Sequence, residues 1–217
     1  MILRALFFIL VVTFSADLFA TAQAPEKLIY KGKEYPLFVE PLNEYFKRHP
    51  EKWPRPTVVS TGLWRGYIAT FEIRNNELFL KDIEVEAYTE ENKYSTNSIL
   101  SEFLAGKPEL KIDWFSGLLI IADGKMIEYV HMGFGSIYEN YILIEIKNGN
   151  FVKETRMNHI EYKQFQDKQF EEYKKTQEYK ERENVLNEKI GDKLGEKGKE
   201  NLIRNFENNY TTIPPEK

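Results

Sequence analysis

The chain contains no cysteine, and this absence removes several kinds of chemistry at once. Disulfides, thiol nucleophiles and cysteine-ligated zinc are all excluded. Histidine is scarce as well, because the sequence holds His49, His131 and His159 far apart, without HxH or HExxH spacing. The sequence therefore predicts no histidine-led metal site.

An excess of positive charge is also missing, since the formal net charge is −4 at pH 7. General nucleic-acid binding needs a clustered basic face, so we expect no nucleic-acid partner.

Phosphate-binding loops are lacking too. The GFGS stretch, Gly133 to Ser136, has no third glycine and precedes no predicted helix, so we interpret it as a connector between strands and expect no cofactor.

The first 22 residues have the pattern of a secretory signal peptide. Arg4 gives the positive start, Ala5 to Phe14 the apolar run, and Ala20-Thr21-Ala22 the small residues that signal peptidase accepts. Asp17 interrupts the apolar stretch well short of the roughly 20 residues that span a bilayer. We therefore predict cleavage after Ala22, a periplasmic or secreted location in a bacterium, and no stable membrane insertion afterwards; an uncleaved anchor is the alternative.

The remainder of the chain predicts an α+β fold with an antiparallel sheet built from hairpins. We expect one α+β domain over residues 23–185 and a charged, partly disordered tail over 186–217. The predicted strands flank turn signals at Lys31-Gly32-Lys33, Asn75-Asn76, Asp123-Gly124 and Asn148-Gly149.

Three helices accompany the predicted sheet, and a short fourth one is expected at Asn201 to Asn208. A short one covers Leu42 to Arg48, and a second lies near 96–105 with Ser95 or Thr96 as its N-cap and Gly106 at its end. A long amphipathic helix from Asn158 to Asn184 carries Phe165 and Phe170, so we expect its first half to pack on the sheet. After Gly191 we expect few contacts with the rest of the protein.

Candidate binding residues lie in the hairpin formed by strands 63–73 and 78–88. A two-residue turn at Asn75-Asn76 opposes Arg65 to Glu86 and Tyr67 to Glu84, with Asp82 on the same side. A covered guanidinium needs a partner, because an unpaired buried charge is strongly unfavourable. Glu86 is the cross-strand candidate and Glu84 the diagonal one.

Two interpretations of these residues stay open. Arg65 forms a structural ion pair, or it holds an anionic ligand or a carboxylate of a partner. Asp82, Glu84 and Glu86, spaced at i, i+2 and i+4, can hold a hard cation such as Ca²⁺, or they form a solvated acidic stripe. We favour the acidic stripe and predict no metal and no catalytic residue.

One segment resembles a known group of sequences. STGLWRGYIATFEI, residues 60–73, is similar to a stretch of uncharacterised bacterial proteins that carry a Leu-Trp-Arg-Gly-Tyr core on a strand. The resemblance implies a strand here, and it carries no activity.

These observations favour an exported, non-enzymatic binding protein of the bacterial envelope, whose partner is another protein. An immunity or inhibitor protein against a delivered toxin is one instance. The alternative is a periplasmic hydrolase that uses Asp82, Glu84 or Glu86, with or without a divalent cation. A third interpretation is a structural envelope protein whose long helix docks on a neighbour.

Overall fold

A computed structural model gives the structure and describes residues 22–55, 60–88, 94–130, 134–206 and 211–213. The predicted signal peptide, apart from Ala22, lies outside the described residues, as does His131. The fold is α+β. Its strands are β1 (Glu26–Tyr30), β2 (Lys33–Leu37), β3 (Tyr67–Arg74), β4 (Glu77–Tyr88), β5 (Tyr94–Ser98), β6 (Leu110–Lys111), β7 (Gly117–Glu128), β8 (Ile137–Lys147) and β9 (Asn150–Asn158). Its helices are α1 (Asn43–Arg48), α2 (Leu100–Leu104), α3 (His159–Tyr173), α4 (Gln177–Ile190) and α5 (Gly195–Phe206).

The strands form one mostly antiparallel, mixed sheet in the order β3-β1-β2-β7-β8-β9-β4-β5, with β6 on β4. Because β3 also pairs with β4, the path from β3 to β4 closes on itself. The sheet departs from the expected antiparallel pairing at one place, where β1 runs parallel to β3 and Leu28 pairs with Phe71. Both of these side chains are buried in the main core.

Asparagine and glycine turns join two pairs of neighbouring strands. Asn75 and Asn76 both have positive φ between β3 and β4, as do Asn148 and Gly149 between β8 and β9. Asparagine and glycine tolerate this left-handed region, which two-residue hairpin turns require. At Gly149 a side chain would also meet the backbone carbonyl oxygen of Ile112, 2.6 Å from an added Cβ.

The predicted hairpin turn at Asp123-Gly124 is wrong, because β7 continues through these residues to Glu128. Asp123 pairs with Asn140 and Met126 with Tyr138, so Gly124 and Lys125 together oppose a single residue of β8. This is a β-bulge, and Gly124 supplies its positive φ of 95°. The same dipeptide thus serves a bulge instead of a chain reversal.

The helix expected near 96–105 is shorter than predicted. Ser95 and Thr96 belong to β5, where Thr96 pairs with Glu86 of β4, so neither caps a helix. Helix α2 is confined to Leu100–Leu104 and ends where Ala105 and Gly106 both take positive φ. Pairing with β4 has overridden the local capping signal.

The predicted long C-terminal helix is divided into α3 and α4. Asn158 and Glu161 form a capping box at the start of α3, and the Thr176 hydroxyl accepts the Tyr179 N–H at the start of α4, at 3.2 Å. Phe165 packs on the sheet core as expected, whereas Phe170 belongs to a second cluster with Tyr173, Tyr179 and Ile203. No helix among the described residues is long and apolar enough to cross a membrane.

The second cluster corrects the expectation for the C-terminal region. Ile203 lies on α5, beyond Gly191, and it is buried against the aromatic rings of α3 and α4. The side-chain amide of Gln169 also donates to the carbonyl oxygen of Ile213. The prediction of few contacts after Gly191 is therefore wrong.

Candidate functional site

The predicted pairing between Arg65 and Glu86 does not form, because a bulge in β4 shifts the register. Phe71 pairs with Leu80 as expected, but the next pair is Thr70 with Asp82, which leaves Lys81 unpaired. Tyr67 consequently faces Val85 and not Glu84. Since β3 begins only at Tyr67, Arg65 lies in the turn that follows the short 3₁₀ helix Thr61–Leu63.

Arg65 is nevertheless a buried ion-pair residue, with 1% of its surface exposed. Its Nε lies 3.1 Å from Oε1 of Glu26, and its Nη1 lies 3.7 Å from Oε1 of Glu40. Its Nη2 donates a hydrogen bond of 2.7 Å to the carbonyl oxygen of Ala24. We call Glu26, Glu40, Arg65 and Tyr67 the buried ionic cluster.

Burial dominates the electrostatics of this cluster. It raises the pKa of Glu26 to about 8, although the charge of Arg65 and the backbone N–H of Ala69 oppose that rise. Burial, followed by the carboxylates of Glu26 and Glu40, raises the pKa of Tyr67 well above its usual value. The Arg65 guanidinium lies 5.7 Å from the centre of the Tyr67 ring.

The position of the cluster indicates a structural role. Arg65 joins Ala24, just before β1, and Glu26, the first residue of β1, to the turn that leads into β3. Its own carbonyl oxygen accepts the indole N–H of Trp53 at 3.0 Å, so the loop after α1 is held at the same point. With Glu26, Arg65 and Tyr67 all buried, a dissolved ligand has no direct approach to the guanidinium.

The three candidate acidic residues of β4, Asp82, Glu84 and Glu86, have separate partners. Asp82 accepts hydrogen bonds from the Ser98 hydroxyl and the Ile83 N–H, at 2.6 and 2.8 Å. Glu84 pairs with Lys27 at 3.2 Å. Glu86 is buried and accepts both the N–H and the hydroxyl of Ser60, at 2.9 and 2.8 Å. Within the described part of the chain, no group of three or more metal-ligating residues is arranged to hold a cation.

Sequence reasoning missed Glu26 and Glu40 as the partners of Arg65. Both are distant in the sequence, and the parallel pairing of β1 with β3 brings Glu26 to the guanidinium. The sequence did contain one signal for this pairing. Glu26 is the first residue of the apolar strand EKLIY, and an acidic side chain that is buried there needs a partner.

A different region exposes apolar side chains. The residues of β7 up to Ala122 are buried, whereas those from Gly124 to Glu128 are exposed. We call residues 124–129 and the paired residues 137–139 the β7–β8 arm. The exposed fractions are 46% for Met126, 52% for Ile127 and 53% for Tyr129. These three side chains give the arm a group of large exposed apolar residues within four positions of the chain.

The outer edge of the arm is open as well. Strand β2 meets β7 at Leu37–Ile121, before the arm begins. Across the described ranges, the pairing of β7 beyond that point is with β8. Unpaired backbone N–H and C=O groups on such an edge can accept another strand.

Comparisons with protein-family models, with curated proteins and with solved structures find no match for this chain.

Proposed function

We propose that the chain is an exported, non-enzymatic binding protein of the bacterial envelope, and that its partner is another protein. The observation that supports this function is the exposure of Met126, Ile127 and Tyr129 on the β7–β8 arm. Clustered exposed apolar side chains mark interaction sites on soluble proteins, whereas single ones do not.

The open edge of the arm suggests how the partner binds. A strand of the partner can add to β7, with main-chain hydrogen bonds supplying affinity and the exposed side chains supplying specificity. The bulge at Gly124 and Lys125 bends this edge, which limits self-pairing. An immunity or inhibitor protein that occupies the site of a delivered toxin is one instance of such a function.

The alternative hydrolase has less support. Glu86 is buried beneath Ser60, and Asp82 and Glu84 have hydrogen-bond or ion-pair partners on neighbouring strands. A general acid or base must reach the substrate, and these contacts occupy the carboxylates.

Site-specific photo-crosslinking tests the proposal in the organism of origin. A photoreactive amino acid at Ile127 or Tyr129 should yield one discrete protein adduct in the envelope fraction. The matched control is Val152, an apolar residue of β9 that is 48% exposed and stands apart from the arm. In the same adducts, mass spectrometry should show that the protein carrying the photoreactive residue begins at Gln23.

Two results would contradict the proposed function. If the adducts from Ile127 match those from Val152, the arm is not a specific binding surface. If the chain is found in the cytosol with an intact Met1, the predicted export is wrong.

A further inference from the structure

A pocket of about 500 Å³ lies between the first residues of β8, the first turns of α3, and α5. Its size is in the range of small-molecule sites. Aromatic rings form much of its wall. Tyr141 and Tyr162 stack with their ring centres 3.9 Å apart, and Phe38 lies 5.6 Å from Phe134. The pocket contains no residue of the buried ionic cluster, and it shares only Ile137 with the β7–β8 arm among the described residues.

The charged lining of this pocket has a single sign. Among the described residues that line it, His159, Lys163 and Arg204 are basic and none is acidic, although the whole chain carries a net charge of −4. Lys163 and Arg204 come from different helices, α3 and α5, and converge on the same opening. This distribution favours an anion.

Asp167 stands outside the lining and holds the two cations in place. Its carboxylate pairs with Lys163 Nζ at 2.5 Å and also with Arg204. Asp167 thus keeps the two basic side chains beside each other at the mouth of the pocket. Desolvation, and then the charge of the neighbouring Arg204, lower the pKa of Lys163 from its usual value.

The opposite wall is fixed by hydrogen bonds. The Ser136 hydroxyl accepts the N–H of Val130 at 3.2 Å, and the Ser136 carbonyl oxygen accepts the Tyr141 hydroxyl at 3.5 Å. The segment from Phe134 to Ser136, predicted to be only a connector, therefore forms a wall of the pocket.

We propose that this pocket binds a small anion with an aromatic body. The aromatic part lies against Phe38 and Phe134, where ring contacts in offset or edge geometry are favourable. The acidic group meets Lys163 and Arg204, where charge-assisted hydrogen bonds are available. This site does not depend on the proposed function of the arm, because Met126, Ile127 and Tyr129, the exposed apolar residues of the arm, do not line the pocket.

Two dyes with the same ring skeleton test the proposal. 8-Anilinonaphthalene-1-sulfonate carries an anionic group, and N-phenyl-1-naphthylamine is its neutral counterpart. Fluorescence titration of the intact chain at pH 7 should show saturable one-to-one binding of the sulfonate and weaker binding of the neutral dye. Lys163→Met should weaken sulfonate binding about tenfold, the usual scale for one charge-assisted contact, while leaving the neutral dye unchanged.

Controls separate this site from adventitious dye binding. Lys168→Met removes the same charge from an exposed position of α3 outside the pocket lining, and it should leave both titrations unchanged. Sodium 1-naphthoate should displace the sulfonate dye, and sodium phosphate at equal concentration should not.

Three results would overturn the proposal: no saturable binding, equal effects of Lys163→Met and Lys168→Met, or displacement by phosphate as effective as that by naphthoate. Since the dye titration needs no protein partner, its outcome is independent of the crosslinking result.

Discussion

Replacing Arg65 with methionine removes the guanidinium that neutralises the buried ionic cluster. The change leaves Glu26 and Glu40 without their cation and the carbonyl oxygen of Ala24 without its donor. Breaking a buried ion pair from one side costs about 3–5 kcal/mol. We expect about 3 kcal/mol at pH 7, the low end of that range, because a pKa of about 8 leaves Glu26 largely protonated at this pH, so that the loss of Arg65 strands little charge there. For a domain of this size, that corresponds to a melting temperature about 6–12 °C lower.

The raised pKa of Glu26 also predicts how stability depends on pH. Its pKa is about 8 in the folded protein and near 4.5 in the unfolded chain, so between these values the folded state binds more protons. Stability should therefore fall as pH rises from 4.5 to 8, by up to about 1.4 kcal/mol per pH unit and about 5 kcal/mol in all. Glu26→Gln should flatten this slope and make the protein more stable than wild type at pH 8.

Urea unfolding at pH 5, 6.5 and 8 measures both effects. Arg65→Met combined with Glu26→Gln should recover part of the loss caused by Arg65→Met alone. Glu86→Gln is the matched control, because Glu86 binds Ser60, and its effect should add to that of Arg65→Met within about 0.5 kcal/mol. Coupling to Glu86 that exceeds coupling to Glu26 would refute the ion-pair assignment, and so would an unchanged midpoint for Arg65→Met.

Two further variants test the turn and the C-terminal cluster. Gly149→Ala should destabilise the protein in a thermal melt by about 1–3 kcal/mol, since the new Cβ meets Ile112. Gly32→Ala, at a position with similar φ and open space around it, should cost less stability. Equal losses of stability in the two variants would contradict the steric reason. Ile203→Ala should cost about 2–4 kcal/mol in urea unfolding because it opens a cavity beside Phe170. A loss below about 0.5 kcal/mol would instead mean that α5 is separate from the core.

Local signals in the sequence were sufficient where a turn depends on its own residues. Asn148 and Gly149 adopt the positive φ values that their residue types favour, and β8 and β9 meet across them. For this turn the deciding interactions lie within a few residues along the chain, whereas the partners of Arg65, Glu26 and Glu40, are distant in the sequence.

The prediction of cross-strand partners was wrong where a bulge interrupts the strand pairing. Lys81 is an exposed residue that interrupts the β3–β4 pairing without changing the apolar pattern on either side. One extra residue of this kind moves every later side chain to a new partner, and so Tyr67 meets Val85. At Gly124 the sequence signal was read correctly as a positive φ, yet a bulge and a turn both require it.

The pocket shows a different reason why sequence reasoning stops short. The GFGS stretch was judged against phosphate-binding loops, which carry their anion contacts on local backbone N–H groups. Here the basic groups lie on α3 and α5, and the Phe134–Ser136 segment forms the facing wall. Only the fold brings Lys163 and Arg204 to one opening, where Asp167 pairs with both. A pocket assembled from three distant segments leaves no residue spacing to recognise in the sequence. Its ligand therefore has to be inferred from the charge and the aromatic rings of the residues that line the pocket.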